Sequence, residues 1–228
     1  MSYRFATFNT HNFLNEELEN TKQQIFQMIQ EYEIVCLQEV YDEIICKQLT
    51  KLFPYTFYNQ STMILSLFPI KGNVPTNKTK ENFSASLIQL PQKDILVVNV
   101  HLDYECEKKR IQELNQIFHY TKPYLMEYPV ILAGDFNALT KNDYTTSQWK
   151  HIYKLRKMSQ WELPEHKLTD KLNQFWNDSG KGYAFQKTCR YNTRIDYIYT
   201  NCIPVKHYEV IQTMPFLSDH NLVTINFS

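Results

Sequence analysis

Short apolar runs with strand character, some in adjacent pairs and some separated by helical patterns, predict an α/β protein. The expected architecture is a four-layer α/β sandwich: two mixed β-sheets packed face to face, with helices outside. Small polar clusters stand at the ends of the apolar runs, as they do where strands of α/β folds share a functional rim. No linker, low-complexity tract or fixed-period repeat divides the 228 residues, so one domain over 1–228 with a sizeable core is expected.

The elements follow in order. Residues 3–8 read as a buried strand. Asn15 can cap a helix over residues 16–32, with Ile25, Met28, Ile29 and Tyr32 on one face. Residues 33–38 form a short buried strand. Residues 42–53 form a second helix, ended by Pro54. Successive strands follow at residues 55–58, 63–68, 85–90 and 95–100, joined by segments carrying Pro69, Gly72, Pro75 and Pro91. The clearest helix spans residues 105–127: Ile111, Leu114, Phe118, Thr121 and Leu125 recur on one face, while Glu107, Lys108, Lys109 and Glu113 cover the outside. A strand at 129–133 precedes a long mixed stretch with helical pieces around 146–156 and 168–176. Strands at 195–200, 205–212 and 222–227 close the chain.

Composition narrows the function classes. An apolar content of 43% excludes a disordered chain. Formal net charge is zero, so binding to nucleic acid must rest on a local patch. The five cysteines are odd in number and contain no CxxC pair, which argues for buried free thiols in a reducing compartment. Arg4, Asn9 and His11 break the apolar start, so no signal peptide is expected, and no run reaches the roughly 18 apolar residues of a membrane span. An intracellular protein, cytoplasmic or nuclear, is the expectation, and a monomer is compatible with it.

The chemistry sits in the polar clusters. Gly134-Asp135-Phe136-Asn137 follows four apolar residues, and Asp135 and Asn137 alternate across Phe136 so that both can face a cleft. Glu39 ends another buried run. A single carboxylate of this kind suits magnesium, which takes few protein ligands and keeps several waters. His101 ends residues 95–100 and His220 follows Asp219. Imidazoles can move protons or donate to a phosphate, and Asp196 offers His220 a carboxylate partner. Asn9 ends the first strand and can orient a carboxylate or a water without adding charge. Each segment alone also reads as a turn, a solvated strand end or a structural histidine. Their conjunction, in this order, points to convergence on one divalent cation and one phosphate.

Here the chain resembles the endonuclease/exonuclease/phosphatase superfamily, the group related to deoxyribonuclease I. The matching segments are Phe8-Asn9, Leu37-Gln38-Glu39-Val40, Ile64-Leu65-Ser66 with Phe68-Pro69-Ile70, His101-Leu102, Gly134-Asp135-Phe136-Asn137, Arg194-Ile195-Asp196-Tyr197-Ile198 and Ser218-Asp219-His220. The resemblance implies a magnesium-dependent phosphoesterase, with manganese as a substitute ion. It implies that Glu39 is the principal metal ligand, helped by Asn9 and Asp219, and that Asp135, held by Asn137, activates the attacking water. It further implies that His220 with Asp196 contacts the phosphate and that His101 donates to the phosphate or the leaving oxygen. Three positions depart from the pattern: His11 stands where many relatives carry an acid, Leu67 where many carry an arginine, and Asn59 and Gln60 where an acid often partners the first histidine.

The expected substrate is nucleic acid or a nucleotide end. Residues 181–194 interleave Lys181, Lys187, Arg190 and Arg194 with Tyr183, Phe185 and Tyr191, and charge plus stacking surface suits a single strand. Arg190, Tyr191 and Arg194 are the substrate-binding candidates, with an ordinary solvated loop as the alternative. A phosphatase acting on a small metabolite or lipid headgroup is the second hypothesis, although no membrane-docking apolar hairpin is evident. A catalytically inactive interaction module is the third.

Overall fold

The computed structural model describes residues 1–13, 18–75 and 82–228. The expected cap at Asn15 and the start of its helix lie outside the described residues. The elements run β1 Tyr3–Asn9, α1 Leu18–Ile29, β2 Ile34–Gln38, α2 Glu43–Leu52, β3 Tyr55–Asn59, β4 Thr62–Ser66, β5 Ile70–Asn73, β6 Phe83–Gln89, β7 Asp94–His101 and α3 Glu107–Leu125. They continue with β8 Val130–Asp135, α4 Thr146–Met158, α5 Lys167–Leu172, β9 Asn177–Asp178, β10 Asp196–Asn201, β11 Val205–Ile211 and β12 Leu222–Phe227. Asp42 caps α2 by accepting from the backbone N–H groups of Ile44 and Ile45. Thr145 and Gln148 form a reciprocal capping box that starts α4.

Two six-stranded sheets result, in the orders β11-β12-β1-β2-β4-β3 and β5-β6-β7-β8-β10-β9. Each is mixed: β1 and β2 run parallel in the first, and β7 and β8 in the second. The central strands are apolar on both faces because both faces are covered. Phe5, Cys36, Val97, Ile131 and Ile198 point between the sheets. Their alternates Ala6, Val35 and Leu37 meet α1 and α2 through Ile25, Ile29, Ile45 and Leu49. On the far side Val98, Leu132 and Tyr199 meet Leu114, Ile117, Leu168 and Leu172 of α3 and α5. The expected four-layer sandwich is therefore present.

Three local expectations change. Residues 70–73 form the edge strand β5, although Pro69 and Gly72 mark the segment as a connection. The helix at 168–176 shortens to Lys167–Leu172, and the chain turns into the two-residue strand β9. Glu107 is buried, not on the outer face of α3: it pairs with the buried Arg110 and accepts from Leu168 N–H at 2.8 Å. Glu162 also bonds Arg110, so this charge cluster ties the start of α3 to the segment after α4.

A polar seam crosses the sandwich near one end. Gln38 donates to Thr7 Oγ1 at 3.0 Å and to Asn99 Oδ1, and Asn99 donates to the carbonyls of Leu37 and Met63. These buried amide donors cross from one sheet to the other and fix how the two sit together, while Gln38 Oε1 has no hydrogen-bond partner among the described residues.

Candidate active site

Strand register lines up the acids and imidazoles. In the second sheet His101 pairs with Asp135 across the parallel β7–β8 ladder, and Asp196 pairs with Asp135 across β8–β10. One row therefore carries His101, Asp135 and Asp196. Asn9 ends β1 in the facing sheet and Glu39 follows β2. Gly134 makes the row possible. Its φ is 137°, and a Cβ there would lie 2.0 Å from the carbonyl oxygen of Val100.

Asn9 joins the sheets. Its Nδ2 donates to Glu39 Oε1 at 3.0 Å and to Asp135 Oδ2 at 3.1 Å, and its Oδ1 accepts from His11 N–H at 3.0 Å. Asp135 is 2% exposed. Its Oδ1 accepts from Asn137 N–H at 2.9 Å, and Asn137 Nδ2 is anchored on the Leu102 carbonyl. Glu39 and Asn137 both adopt left-handed backbone, with φ of 57° and 49°. Such residues cost on the order of 1–3 kcal/mol each and concentrate at working sites.

His220 stands on the other side of Asp135. Its Nδ1 lies 2.9 Å from Asp196 Oδ2, and its Nε2 is 3.8 Å from Asp135 Oδ2. Burial works against a charged imidazole, but the Asp196 carboxylate, its hydrogen bond and Asp135 outweigh it and hold the His220 pKa well above the ordinary histidine value. Burial also raises the Asp196 carboxyl, opposed by His220. The pairing thus favours the protonated imidazole. The loop before β12 is fastened to β1 by Ser218, which donates to the Asn9 carbonyl at 2.8 Å and accepts from His220 N–H.

His101 Nε2 faces Glu39 Oε1 at 3.7 Å and Asp135 Oδ2 at 3.9 Å. Its Nδ1 is buried with no hydrogen-bond partner among the described residues. Asp219 directs Oδ2 toward Arg190 at 3.4 Å, while its Oδ1 is buried without a hydrogen-bond donor among the described residues. An orphaned carboxylate oxygen near Glu39 suits a hard cation, since oxygen donors are what magnesium selects. The ligating atoms of Asp135, Asp196 and His220 also lie within 4.8 Å of one another, a buried group able to hold a metal ion.

The structure brings Asn9, Glu39, His101, Asp135, Asn137, Asp196, Asp219 and His220 to one rim. Arg190 and Tyr191 lie beside it, with the Arg190 guanidinium 5.0 Å from the Tyr191 ring centre. Arg194 corrects the expectation of a substrate contact. It is buried, donates to Asp143 at 2.8 Å, forms a forked pair with Asp178 and packs over the Tyr197 ring, so it binds the structure together. All five cysteines are free; of the expected buried thiols, Cys36 and Cys189 are buried, whereas Cys46 and Cys106 are half-buried and Cys202 is exposed. Reading the sequence missed a cavity of about 690 Å³ opening from the rim. It is lined by Asn137, Ile152, Arg156, Trp161, Tyr191 and His220 among others. Trp161 meets Tyr191 edge to face at 4.9 Å. Arg156 is half-buried here, and that burial lowers its pKa.

A model of the endonuclease/exonuclease/phosphatase family matches residues 6–220. The chain belongs to that family. It is therefore a phosphoesterase, and the resemblance read from its motifs is borne out. Among solved structures, a conserved protein of unknown function from Enterococcus faecalis V583 is 17% identical, with a TM-score of 0.70 and 99% of each chain covered. Truncated TDP2 from Caenorhabditis elegans is 15% identical, with a TM-score of 0.68, 100% of this chain and 98% of that one. The mannosyl-6-phosphatase Bt3783 of Bacteroides thetaiotaomicron VPI-5482 is 18% identical, with a TM-score of 0.69 and 99% of each chain covered. These likenesses establish the shared fold. No curated protein matches the sequence. No described helix is long and apolar enough to cross a membrane.

Proposed function

We propose that this family member is a magnesium-dependent phosphodiesterase acting on nucleic-acid or nucleotide ends. The observation that carries the reading is Asn9, whose amide bridges Glu39 and Asp135 beside the charged His220–Asp196 pair. Glu39 would hold the ion, with Asn9 and Asp219 alongside. Magnesium, or manganese in its place, would supply positive charge that lets a nucleophile approach an anionic ester. The Asp135/Asp196/His220 group is the weaker metal candidate, because Asp196 already occupies His220 Nδ1 and the imidazole is charged.

In the proposed reaction Asp135 accepts a proton from the attacking water, with its carboxylate aimed by Asn137 N–H. The water oxygen bonds to phosphorus as the bond to the leaving oxygen breaks in line. His220 donates from Nε2 to a phosphoryl oxygen, steadied by Asp196, and stabilises the charge that builds there. His101, opposite, donates to the phosphate or the leaving oxygen. Trp161 and Tyr191 line the adjoining cavity, and their rings suit a planar base or aromatic alcohol on the ester, with Arg190 near its charge.

A second reading, a phosphatase for a small phosphorylated metabolite, draws support from the likeness to Bt3783 and from zero net charge. A magnesium-dependent hydrolysis panel separates the two: single- and double-stranded DNA, RNA, a 5′-tyrosyl-DNA adduct, bis-p-nitrophenyl phosphate and several phosphomonoesters. The diesterase reading expects oligonucleotides or their ends to be cleaved, and cleavage to disappear in Asp135→Asn. Turnover of monoesters alone would overturn it in favour of the phosphatase.

A further inference from the structure

His11 is the one imidazole at the rim to which neither the family pattern nor the reaction above gives a role. Its Nδ1 lies 3.4 Å from Asp219 Oδ1 and 3.7 Å from Glu39 Oε2, between two of the three residues that would hold the ion. Both separations are too long for good hydrogen bonds. They are close to the spacing of neighbouring ligands around a six-coordinate cation, about 3 Å when each bond is about 2.1 Å. The oxygen facing it on Asp219 is the buried one that lacks a donor among the described residues.

The backbone holds the ring there. His11, Asn12 and Phe13 have φ of 47°, 52° and 57°, three successive left-handed residues. Asn9 Oδ1 accepts from His11 N–H, Phe13 N–H closes on the Thr10 carbonyl, and Phe13 is buried against Phe26. The side chain of His11 remains about one-third exposed, at 36%, which leaves room for water on the open side of an ion.

We infer that His11 Nδ1 is a nitrogen ligand of the catalytic cation and biases the site toward borderline transition ions, manganese above magnesium. This rests on the assignment of the ion to Glu39 and Asp219. The chemistry is direct. Magnesium favours oxygen donors, whereas imidazole strengthens binding of first-row transition ions in the order of their intrinsic affinities. An imidazole in place of a third carboxylate also brings less negative charge to the site, which weakens binding of magnesium most.

The test is calorimetric titration of the full chain with Mg²⁺ and with Mn²⁺, for the wild type, His11→Ala and His11→Asp. Loss of His11 should weaken Mn²⁺ binding about 10–100-fold, the range seen when metal-site support is removed, and change Mg²⁺ binding far less. His11→Asp should tighten Mg²⁺ and narrow the gap between the ions. Electron-spin-echo spectra of the Mn²⁺-loaded protein should show a nitrogen coupling that His11→Ala removes and His101→Gln retains. If His11→Ala instead tightens both ions equally, the histidine is a competing cation and the inference is overturned. An unchanged Mn²⁺ to Mg²⁺ ratio also overturns it, while leaving the ion site itself standing. Failure of either ion to bind the wild type would overturn the inference and the proposed metal-dependent reaction together.

Discussion

The two halves of the rim differ in how they carry charge. Asp196 and His220 are both buried and bonded to each other through Nδ1, and the carboxylate favours positive charge on the imidazole. Around Glu39, Asp219 and His11 the side chains are partly open to solvent, and one buried oxygen has no donor among the described residues. The first half is complete as protein. On the proposed reading, the second would be finished by a cation. Asp135 lies between them, touched by Asn9 from one side and faced by His220 from the other.

Removing the shared residue should have the largest effect. Asp135→Asn keeps the size of the side chain and takes only the base, so turnover should fall about 10²–10⁴-fold with melting temperature nearly unchanged. Activity within a few-fold of wild type would contradict the role given to Asp135. The built-in half is probed next by Asp196→Asn. The carboxylate raises the His220 pKa, so its loss should lower that pKa and move the alkaline limb of the pH–rate profile to lower pH. An alkaline limb that stays in place would remove the dyad from the mechanism.

The open half responds differently. Glu39→Gln should raise the magnesium concentration needed for half-maximal rate about 10-fold or more, as expected when a ligand site loses its charge. An unchanged metal dependence would move the ion elsewhere. The smallest effect on catalysis belongs to Arg194, four residues beyond Arg190. Arg194→Met should cost about 3–5 kcal/mol of stability, because it strands Asp143 and Asp178 in the interior. Its effect on KM at a temperature where the variant stays folded should be slight. Arg190→Ala should do the reverse, raising KM without lowering the melting temperature.

That pair of arginines marks the limit of what the sequence made legible. Both stand in one basic, aromatic stretch, and nothing local distinguishes them. The acids that bury Arg194 come from 51 and 16 residues away. Glu107 was misplaced for the same reason, since its partner in Leu168 is 61 residues distant. The strand ends were legible because buried runs stop where polar residues begin, and the site residues sit at those stops. Their mutual order was not, because the contact of Asn9 with Asp135 spans 126 residues and depends on how two sheets pack. His11 gave one signal, an imidazole within the polar run Asn9-Thr10-His11-Asn12, but its aim between two carboxylates is set by a left-handed turn that sequence pattern does not encode. Trp161 carries no site signal in the sequence, and in the structure it forms a cavity wall.

The division of the rim into a proton-holding half and a cation-holding half is tested most directly by calorimetric titration of Mg²⁺ and Mn²⁺ into Glu39→Gln and Asp196→Asn side by side. The account predicts that binding is lost or severely weakened in Glu39→Gln and kept in Asp196→Asn. Binding kept in Glu39→Gln and lost in Asp196→Asn would place the ion at Asp135, Asp196 and His220 and contradict it.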